Sequence, residues 1–247
     1  MDRTYASAGP GKDRIERGRD GAPAGGPVQL GEGHDIDAGA LLGYLTGRRI
    51  ESQVLRIGPG ARIRSGTVLY GGSTIGAGLE TGHNVVIREE NVIGDNLSIW
   101  NNSTIDYGCT IGNGVKIHNN VYVAQFTILE DEVFLAPGVM VANDPHPLCA
   151  HHLEGPTIKR GARIGINVTL LPGVVVGEGA MVGAGSVVTR DIPPFVVAYG
   201  SPARPKKRVE EVMCSYQLAE RGDGVDGRRT EVLGATWKGG HDAGAIR

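Results

Sequence analysis

Residues 142–157 contain the side chains best suited to chemistry in this sequence. His146 stands two positions after Asp144 in the segment Asn143-Asp-Pro-His-Pro147. A neutral imidazole, with an ordinary pKa of about 6.5, can accept a proton at cellular pH. His146 is therefore the first candidate for a general base, and Asp144 is the candidate carboxylate that would orient it.

The same stretch contains a second set of reactive residues, a group of potential metal ligands. Cys149, His151 and His152 follow His146 closely, and Zn²⁺ takes such ligands in tetrahedral sites. A zinc site is one interpretation of these residues, although the cluster has no second ligand pair elsewhere in the sequence. The sequence alone leaves both interpretations open.

A six-residue repeat surrounds this stretch and must position it. An aliphatic residue occupies twenty of twenty-one positions at that spacing, from Ile57 to Val141 and then, in a new phase, from Ile158 to Val188. Gly or Asn stands three residues later in sixteen of the twenty-one hexads, and these two types best tolerate positive φ. Since six is neither a helical nor a simple strand period, each hexad predicts one short strand and one sharp turn.

The pattern resembles the hexapeptide-repeat, left-handed β-helix family, in which three hexads make one triangular coil. The resemblance covers residues 57–205 and implies an all-β fold, a left-handed parallel β-helix of about seven coils stacked about 4.8 Å apart. The interruption at residues 142–157 comes after fifteen hexads, a whole number of coils. It can therefore leave and rejoin the stack as a loop, and loops on rigid scaffolds often carry function.

An eighteen-residue layout of the hexads predicts three unlike corners. The first corner has plain glycine turns, and the third carries the loop. Polar and aromatic residues stack at the second corner, which predicts one wall of a substrate site: Asn84, Trp100, Asn102, His118 and Asn120. His118 is the second candidate base, and Asn143 at the start of the loop is a further predicted substrate contact. Asparagines at such corners also serve turn geometry alone.

The family resemblance implies an activity as well as a fold. The motifs Leu171-Pro-Gly173 and Gly200-Ser-Pro-Ala-Arg204 resemble those of acyl-CoA-dependent transferases, and the run from Val115 to Asn143 looks closest to nucleotide-sugar N-acetyltransferases. The resemblance implies acetyl-CoA as co-substrate, an amine acceptor on a nucleotide-linked amino sugar, no tightly bound cofactor, and a homotrimer with active sites between prisms. The matching coenzyme positions are Ile166, whose backbone N–H would stabilise the oxyanion, and Gly183, Gly185, Thr189, Arg190, Arg204, Lys206 and Lys207.

Other functions fit the same residues. The order of His-Pro, Ile-Gly and Leu-Pro-Gly resembles the galactoside and maltose O-acetyltransferases, and a tetrahydrodipicolinate-type N-acyltransferase is a further alternative. A γ-type carbonic anhydrase would use histidine-bound zinc, and a non-enzymatic trimeric scaffold would bind no coenzyme A. Coenzyme A binding and zinc content separate these alternatives.

The remaining segments and the composition set the outer limits of the prediction. Residues 1–34 are expected to be a disordered leader, 35–56 a cap with one or two helical turns, 206–221 an amphipathic helix and 222–247 a flexible tail. A net charge of −2 argues against nucleic-acid and membrane partners. Three scattered cysteines predict reduced thiols, and the absence of an apolar signal core predicts a soluble cytoplasmic protein.

Overall fold

The hexads form short parallel strands, as the sequence predicts. In the computed structural model, which describes residues 25–146 and 153–212, successive strands pass through three sheets in turn. Strands one coil apart pair in register, so that Ile75 faces Ile93 and Ile93 faces Ile111. The β-strands described below lie in the first of two units of the chain, which ends at residue 211.

The three sheets are built from strands numbered here along the chain. The first sheet contains β1 Val28–Leu30, β4 Leu55–Ile57, β7 Thr74–Ile75, β10 Val92–Ile93, β13 Thr110–Ile111, β16 Ile128–Leu129, β19 Thr157–Ile158 and β22 Val175–Val176. The second contains β2 Asp35–Ile36, β5 Arg62–Ile63, β8 Glu80–Thr81, β11 Ser98–Ile99, β14 Lys116–Ile117, β17 Phe134–Leu135, β20 Arg163–Ile164, β23 Met181–Val182, β25 Val196–Gly200 and β26 Ala203–Arg208. The third contains β3 Leu41–Tyr44, β6 Val68–Tyr70, β9 Val86–Ile87, β12 Thr104–Ile105, β15 Tyr122–Val123, β18 Met140–Val141, β21 Thr169–Leu170 and β24 Val187–Val188.

The aliphatic residue of each hexad points into the space between the sheets. Ile63, Ile99 and Ile117 are fully buried, and their neighbours in adjacent coils stack on them. The one predicted exception, Thr81, is also buried, and its hydroxyl accepts a hydrogen bond from the Arg64 amide at 3.0 Å. A solenoid of this kind needs no aromatic core, because stacked aliphatic side chains fill its interior.

Each coil turns at three corners, named here by the sheets they join. The first corner joins the first sheet to the second, the second corner joins the second to the third, and the third corner joins the third back to the first. The predicted positive φ occurs at these turns, for example at Gly60 (73°) and Asn84 (57°). Four bulkier residues adopt it as well, namely Glu90, Phe126, Glu132 and Phe195.

The N-terminal cap is not helical, so the predicted helical turns within residues 35–56 are wrong. Strands β1, β2 and β3 form a further coil that pairs in parallel with β4, β5 and β6. The described part of the β-helix therefore has eight coils, not seven, and it begins inside the predicted leader, of which residues 1–24 lie outside the described residues. The irregular composition of residues 45–54 hid this coil, because that segment separates it from the regular hexads.

The C-terminal helix predicted for residues 206–221 is also wrong where the structure describes it. Residues Ala203–Arg208 form β26, which pairs antiparallel with β25, and Val209–Val212 form a 3-10 turn. The apolar spacing at residues 209 and 212 fits that turn as well as a helix. The rest of the predicted helix and the tail at 222–247 lie outside the described residues.

The stack continues in register across the loop predicted at residues 142–157, of which residues 147–152 lie outside the described residues. β16 pairs with β19 across it, so Leu129 faces Ile158 and the ladder continues in register. The three parallel sheets are consistent with a left-handed β-helix. Within the described ranges, the structure contains no helix long and apolar enough to cross a membrane.

Candidate functional site

The structure divides the predicted site residues between two corners. The second corner carries Asn84, Trp100, Asn102, His118, Asn120, Ile166, Gly183 and Gly185. The third corner carries Asn143, Asp144 and His146, and the chain reaches it again at Thr189 and Arg190. The two candidate bases, His118 and His146, therefore lie at different corners of the same prism.

The asparagines of the second corner serve the turn. Asn84, Asn102 and Asn120 have φ of 57°, 58° and 58°, which is the left-handed conformation that asparagine tolerates. The side-chain amide of Asn84 donates to the Oδ1 of Asn102 at 3.3 Å, which begins a ladder along the corner. All three side chains are exposed, so their role as substrate contacts stays a prediction.

His118 lies half-buried against the second sheet. Its ring centroid is 5.0 Å from that of Phe134, and its backbone carbonyl accepts a hydrogen bond from Ser103 Oγ at 2.6 Å. Trp100, one coil earlier, is also half-buried. The imidazole therefore packs against one aromatic ring, that of Phe134, and the structure brings it no carboxylate partner among the described residues.

His146 is exposed, and the residues before it form the fixed base of the loop. Asp144 accepts a hydrogen bond from the His146 backbone N–H at 2.8 Å, so this carboxylate orders the loop backbone. Asn143 is only 8% exposed, and its side-chain amide donates to Gln125 Oε1 at 2.7 Å. Asn143 therefore anchors the loop, whereas the sequence predicts a substrate contact.

The positions predicted to bind coenzyme follow the last coils. The side chain of Ile166 is 51% exposed, and among the described residues its backbone N–H has no acceptor, while its carbonyl accepts from Gly185 N at 2.8 Å. Arg190, Arg204, Lys206 and Lys207 are exposed, and Thr189 is half-buried. These residues lie on the last coil and on β26, towards one end of the prism.

A network of buried charges at the third corner is the feature that the sequence analysis missed. Glu89 is fully buried and accepts hydrogen bonds from Thr46 Oγ1, Arg48 Nη1 and Arg88 Nη2 at 3.0, 3.0 and 2.9 Å. Arg88 Nη1 also lies 3.3 Å from Asp106, which is 6% exposed. The residues from 45–54 thus cover a carboxylate that would otherwise face water.

The network continues from Asp106 to the loop. Asp106 Oδ2 accepts hydrogen bonds from Tyr122 Oη at 2.8 Å and from Gln125 Nε2 at 2.6 Å. Gln125 in turn accepts from Asn143. A continuous polar chain therefore joins the N-terminal segment 45–54 to the loop that carries His146.

The protonation states of the network follow from its contacts. Burial acts to raise the pKa of Glu89, but hydrogen bonds from its own backbone, Arg48, Arg88 and Thr46 outweigh it and hold the pKa below its usual value. Burial, together with the hydrogen bond to Asp106, raises the pKa of Tyr122 to about 12. At neutral pH the cluster therefore contains an ionised Glu89 and a protonated Tyr122 that donates to Asp106.

One sequence signal could have located this network. In the eighteen-residue layout, Arg88, Glu89 and Glu90 stand at the third corner, with Asp106 and Gln125 on the two coils that follow. Charged residues at a corner are usually solvated, so the pattern alone predicts no burial. Burial depends on the packing of residues 45–54, which the repeat does not encode.

The metal candidates Cys149, His151 and His152 lie outside the described residues. Within the described ranges, no group of three His, Cys, Asp or Glu side chains could hold a metal ion. Cys109 is a buried free thiol, and burial raises its pKa to about 12. This thiol has the character of a core residue.

Comparison with known proteins identifies the repeat. Residues 91–125, 108–143 and 155–190 match the model of the bacterial transferase hexapeptide (six repeats). The chain is also similar to a UDP-N-acetylglucosamine acyltransferase from Bacteroides fragilis, with a TM-score of 0.59 at 19% identity, over 79% of this chain and 78% of that one. At this identity the likeness concerns the fold alone.

Two curated relatives share part of the sequence. The dTDP-3-amino-3,6-dideoxy-alpha-D-galactopyranose 3-N-acetyltransferase of Aneurinibacillus thermoaerophilus is 54% identical over 61 residues, which is 25% of this chain and 31% of that protein. The galactoside O-acetyltransferase of Escherichia coli is 37% identical over 99 residues, which is 36% of this chain and 48% of that protein. The chain thus spans less than half the length of either relative. The matched repeats and the two relatives show that the chain contains the hexapeptide repeat of bacterial transferases, and that this part of the chain is similar to hexapeptide-repeat acetyltransferases.

Proposed function

We propose that the protein transfers the acetyl group of acetyl-CoA to the amino group of a nucleotide-linked amino sugar. The observation that carries this proposal is the exposure of His146 on a loop whose first residues are held by hydrogen bonds, with Asn143 buried at its start. Similarity to hexapeptide-repeat acetyltransferases supports acetyl-CoA as the donor. The amine acceptor follows the relative from Aneurinibacillus thermoaerophilus, which is the more similar of the two compared above.

In the proposed reaction, the acceptor nitrogen attacks the thioester carbonyl carbon of acetyl-CoA. A carbon–nitrogen bond forms, and His146 takes the proton that the nitrogen loses. The carbon–sulfur bond then breaks, and the leaving sulfur receives that proton from the imidazolium. His146 is thereby returned to its neutral form for the next turnover.

The tetrahedral intermediate needs a donor for its oxyanion. We assign this role to the backbone N–H of Ile166, which has no acceptor among the described residues and lies at an exposed turn. A fixed amide dipole costs no reorganisation when negative charge develops, so it favours the transition state. The exposed basic residues Arg190, Arg204, Lys206 and Lys207 would contact the coenzyme phosphates.

A site that uses both corners requires more than one copy of the chain. The second and third corners are joined by one six-residue face, which separates them by up to about 20 Å. We propose a homotrimer in which the second corner of one prism faces the third corner of its neighbour. Exposed apolar side chains on the strands, including Val92 (61%), Ile128 (40%) and Met140 (47%), offer surface for such contacts.

An O-acetyltransferase is the second candidate. The Escherichia coli relative acts on a hydroxyl, and its match covers more residues than that of the N-acetyltransferase. A hydroxyl acceptor depends more strongly on a base than a neutral amine does, so the two functions differ in their dependence on His146.

The decisive test is a substrate screen. Nucleotide-linked amino sugars and the corresponding hydroxyl sugars are incubated with acetyl-CoA, and free coenzyme thiol is measured together with the mass of the acetylated sugar. We expect acetylation of amino sugars only. Acetylation of hydroxyl sugars alone would replace the proposed function with the second candidate, and a protein whose melting temperature does not respond to coenzyme A would contradict both.

A further inference from the structure

The base of the loop is tied at both ends by one residue. The carbonyl of Asn143 accepts a hydrogen bond from the Glu154 backbone N–H at 2.8 Å, and the Glu154 carbonyl accepts from Gly173 N at 3.0 Å. The side chain of the same Asn143 donates to Gln125 Oε1. The position of Asn143 therefore fixes where the loop leaves and re-enters the prism.

Gln125 is held from the opposite side by Asp106. Its Nε2 donates to Asp106 Oδ2 at 2.6 Å while its Oε1 accepts from Asn143 at 2.7 Å, so both ends of one side-chain amide are engaged. An amide in this arrangement has only one useful orientation, because the carboxylate cannot donate. Asp106 thus decides that the oxygen of Gln125 faces the loop.

Asp106 itself is fixed by the buried cluster. Arg88 lies 3.3 Å from its Oδ1, and Tyr122 and the Tyr107 amide donate to its two oxygens at 2.8 Å each. With 6% exposure for Asp106 and 8% for Asn143, these side chains have little surface to offer a substrate. Their contacts are directed at one another and at the loop.

We propose that Gln125 and Asp106 are positioning residues for His146, and that they act through Asn143. Asp106 orients the amide of Gln125, and Gln125 holds Asn143. Asn143 in turn closes the neck of the loop immediately before the turn in which Asp144 accepts a hydrogen bond from the His146 amide. This inference rests on the proposed function, in which His146 is the base. It adds that the position of His146 is fixed by Gln125, one coil before the loop, and by Asp106, two coils before it.

The fraction of molecules with a competent loop governs the size of the effect. When the positioned state becomes a minor one, turnover falls in proportion to its population. Loss of a positioning residue therefore lowers the maximum kcat in the pH–rate profile without changing the pH at which kcat falls to half of that maximum. Loss of a residue that relays the proton would change that pH.

Two single substitutions and their combination test the proposal in the full chain. Q125E puts a second carboxylate beside Asp106 and removes the Nε2 donor, so we expect kcat to fall at least tenfold with the KM for acetyl-CoA changed less than twofold. D106N alone also lowers kcat. In the double variant, the amide at position 106 donates to the carboxylate at position 125, which can still accept a hydrogen bond from Asn143. We therefore expect the double variant to recover most of the lost turnover.

A control and a milder variant guard against loss of folding. Asn113→Ala removes a comparable amide at the first corner, where Asn113 Nδ2 lies 3.3 Å from Asp131, and we expect wild-type turnover. Gln125→Met keeps the side-chain volume without placing a charge, and it should lower kcat without a large loss of melting temperature. Equal losses of kcat in Asn113→Ala and Gln125→Met would overturn the proposal.

Hydrogen exchange at the Glu154 amide provides a readout independent of activity. We expect faster exchange in Q125E and wild-type exchange in the double variant. Reduced kcat with unchanged Glu154 exchange would show a direct contact with substrate and overturn the positioning role, as would faster exchange with unchanged kcat. If the wild-type protein acetylates no sugar, the proposed function fails, and unchanged exchange in Q125E would then separately refute the tie between Gln125 and the loop.

Discussion

The guanidinium of Arg48 lies 3.6 Å from the ring centroid of Tyr107, and its Nη1 bonds to the buried carboxylate of Glu89 at 3.0 Å. This one side chain joins the N-terminal segment 45–54 to coils that lie two and three turns further along the chain. It covers Glu89 from water, and so the buried charge cluster depends on it.

Arg48→Met is therefore expected to lower the free energy of unfolding by about 2 kcal/mol, since it removes a charged hydrogen bond and a cation–π contact. Urea denaturation followed by circular dichroism measures the loss. The matched control is Arg49→Met at the neighbouring exposed arginine, with an expected change within about 0.5 kcal/mol. Similar losses in both variants would mean that the cluster does not depend on Arg48.

His146→Ala is expected to reduce kcat by about a hundredfold or more with little change in KM, because a general base contributes on the order of 10²–10⁴ to rate. His118→Ala should affect the KM for the acceptor more than kcat, because its ring forms part of a wall with Phe134. Steady-state kinetics on the sugar identified by the screen decide the matter. Unchanged turnover in His146→Ala would transfer the role of base to His118 or to no protein group.

Glu132→Asn is expected to stabilise the protein. Glu132 is an exposed residue with φ of 60°, a conformation that costs most side chains about 1–2 kcal/mol and asparagine less. A gain of about 0.5–1 kcal/mol in thermal or urea unfolding is the predicted result. Glu178→Asn at the first corner of a later coil, where φ is not in that region, is the control and should give no gain.

Stability at alkaline pH should depend on Tyr122. Burial and the bond to Asp106 raise its pKa to about 12, while an unfolded tyrosine titrates near about 10. The folded state favours the neutral phenol, so its contribution is fully present below about pH 10 and is lost as the pH rises to about 12. The free energy of unfolding of the wild type should fall more steeply across this window than that of Tyr122→Phe, and parallel curves would contradict the assignment.

The six-residue repeat contained most of the information about the fold. Aliphatic residues at every sixth position and Gly or Asn three residues later demand short strands and left-handed turns, and the structure confirms both. These are local properties, since each hexad uses its own backbone conformations and stacks on the next in register. The first coil escaped prediction because the segment 45–54 breaks the period between β3 and β4.

The helices predicted at the two ends show a limit of local patterns. Val209 and Val212 have helical spacing, yet the preceding residues Ala203–Arg208 pair with β25. A short apolar spacing fits a helix, a 3-10 turn or the end of a strand. The available edge of the second sheet decides among them, and an edge exists only once the coils have stacked.

The sequence by itself determined the architecture and the position of the loop that carries His146, because repeats and motifs are properties of residues close together in the chain. The tertiary structure alone decided that Glu89 and Asp106 are buried and that Asn143 faces Gln125 instead of solvent. Stacking brings residues eighteen positions apart into hydrogen-bonding distance, and the segment 45–54 then excludes water from the charges beneath it. Burial and orientation are consequences of that packing, and no spacing within one hexad can express them.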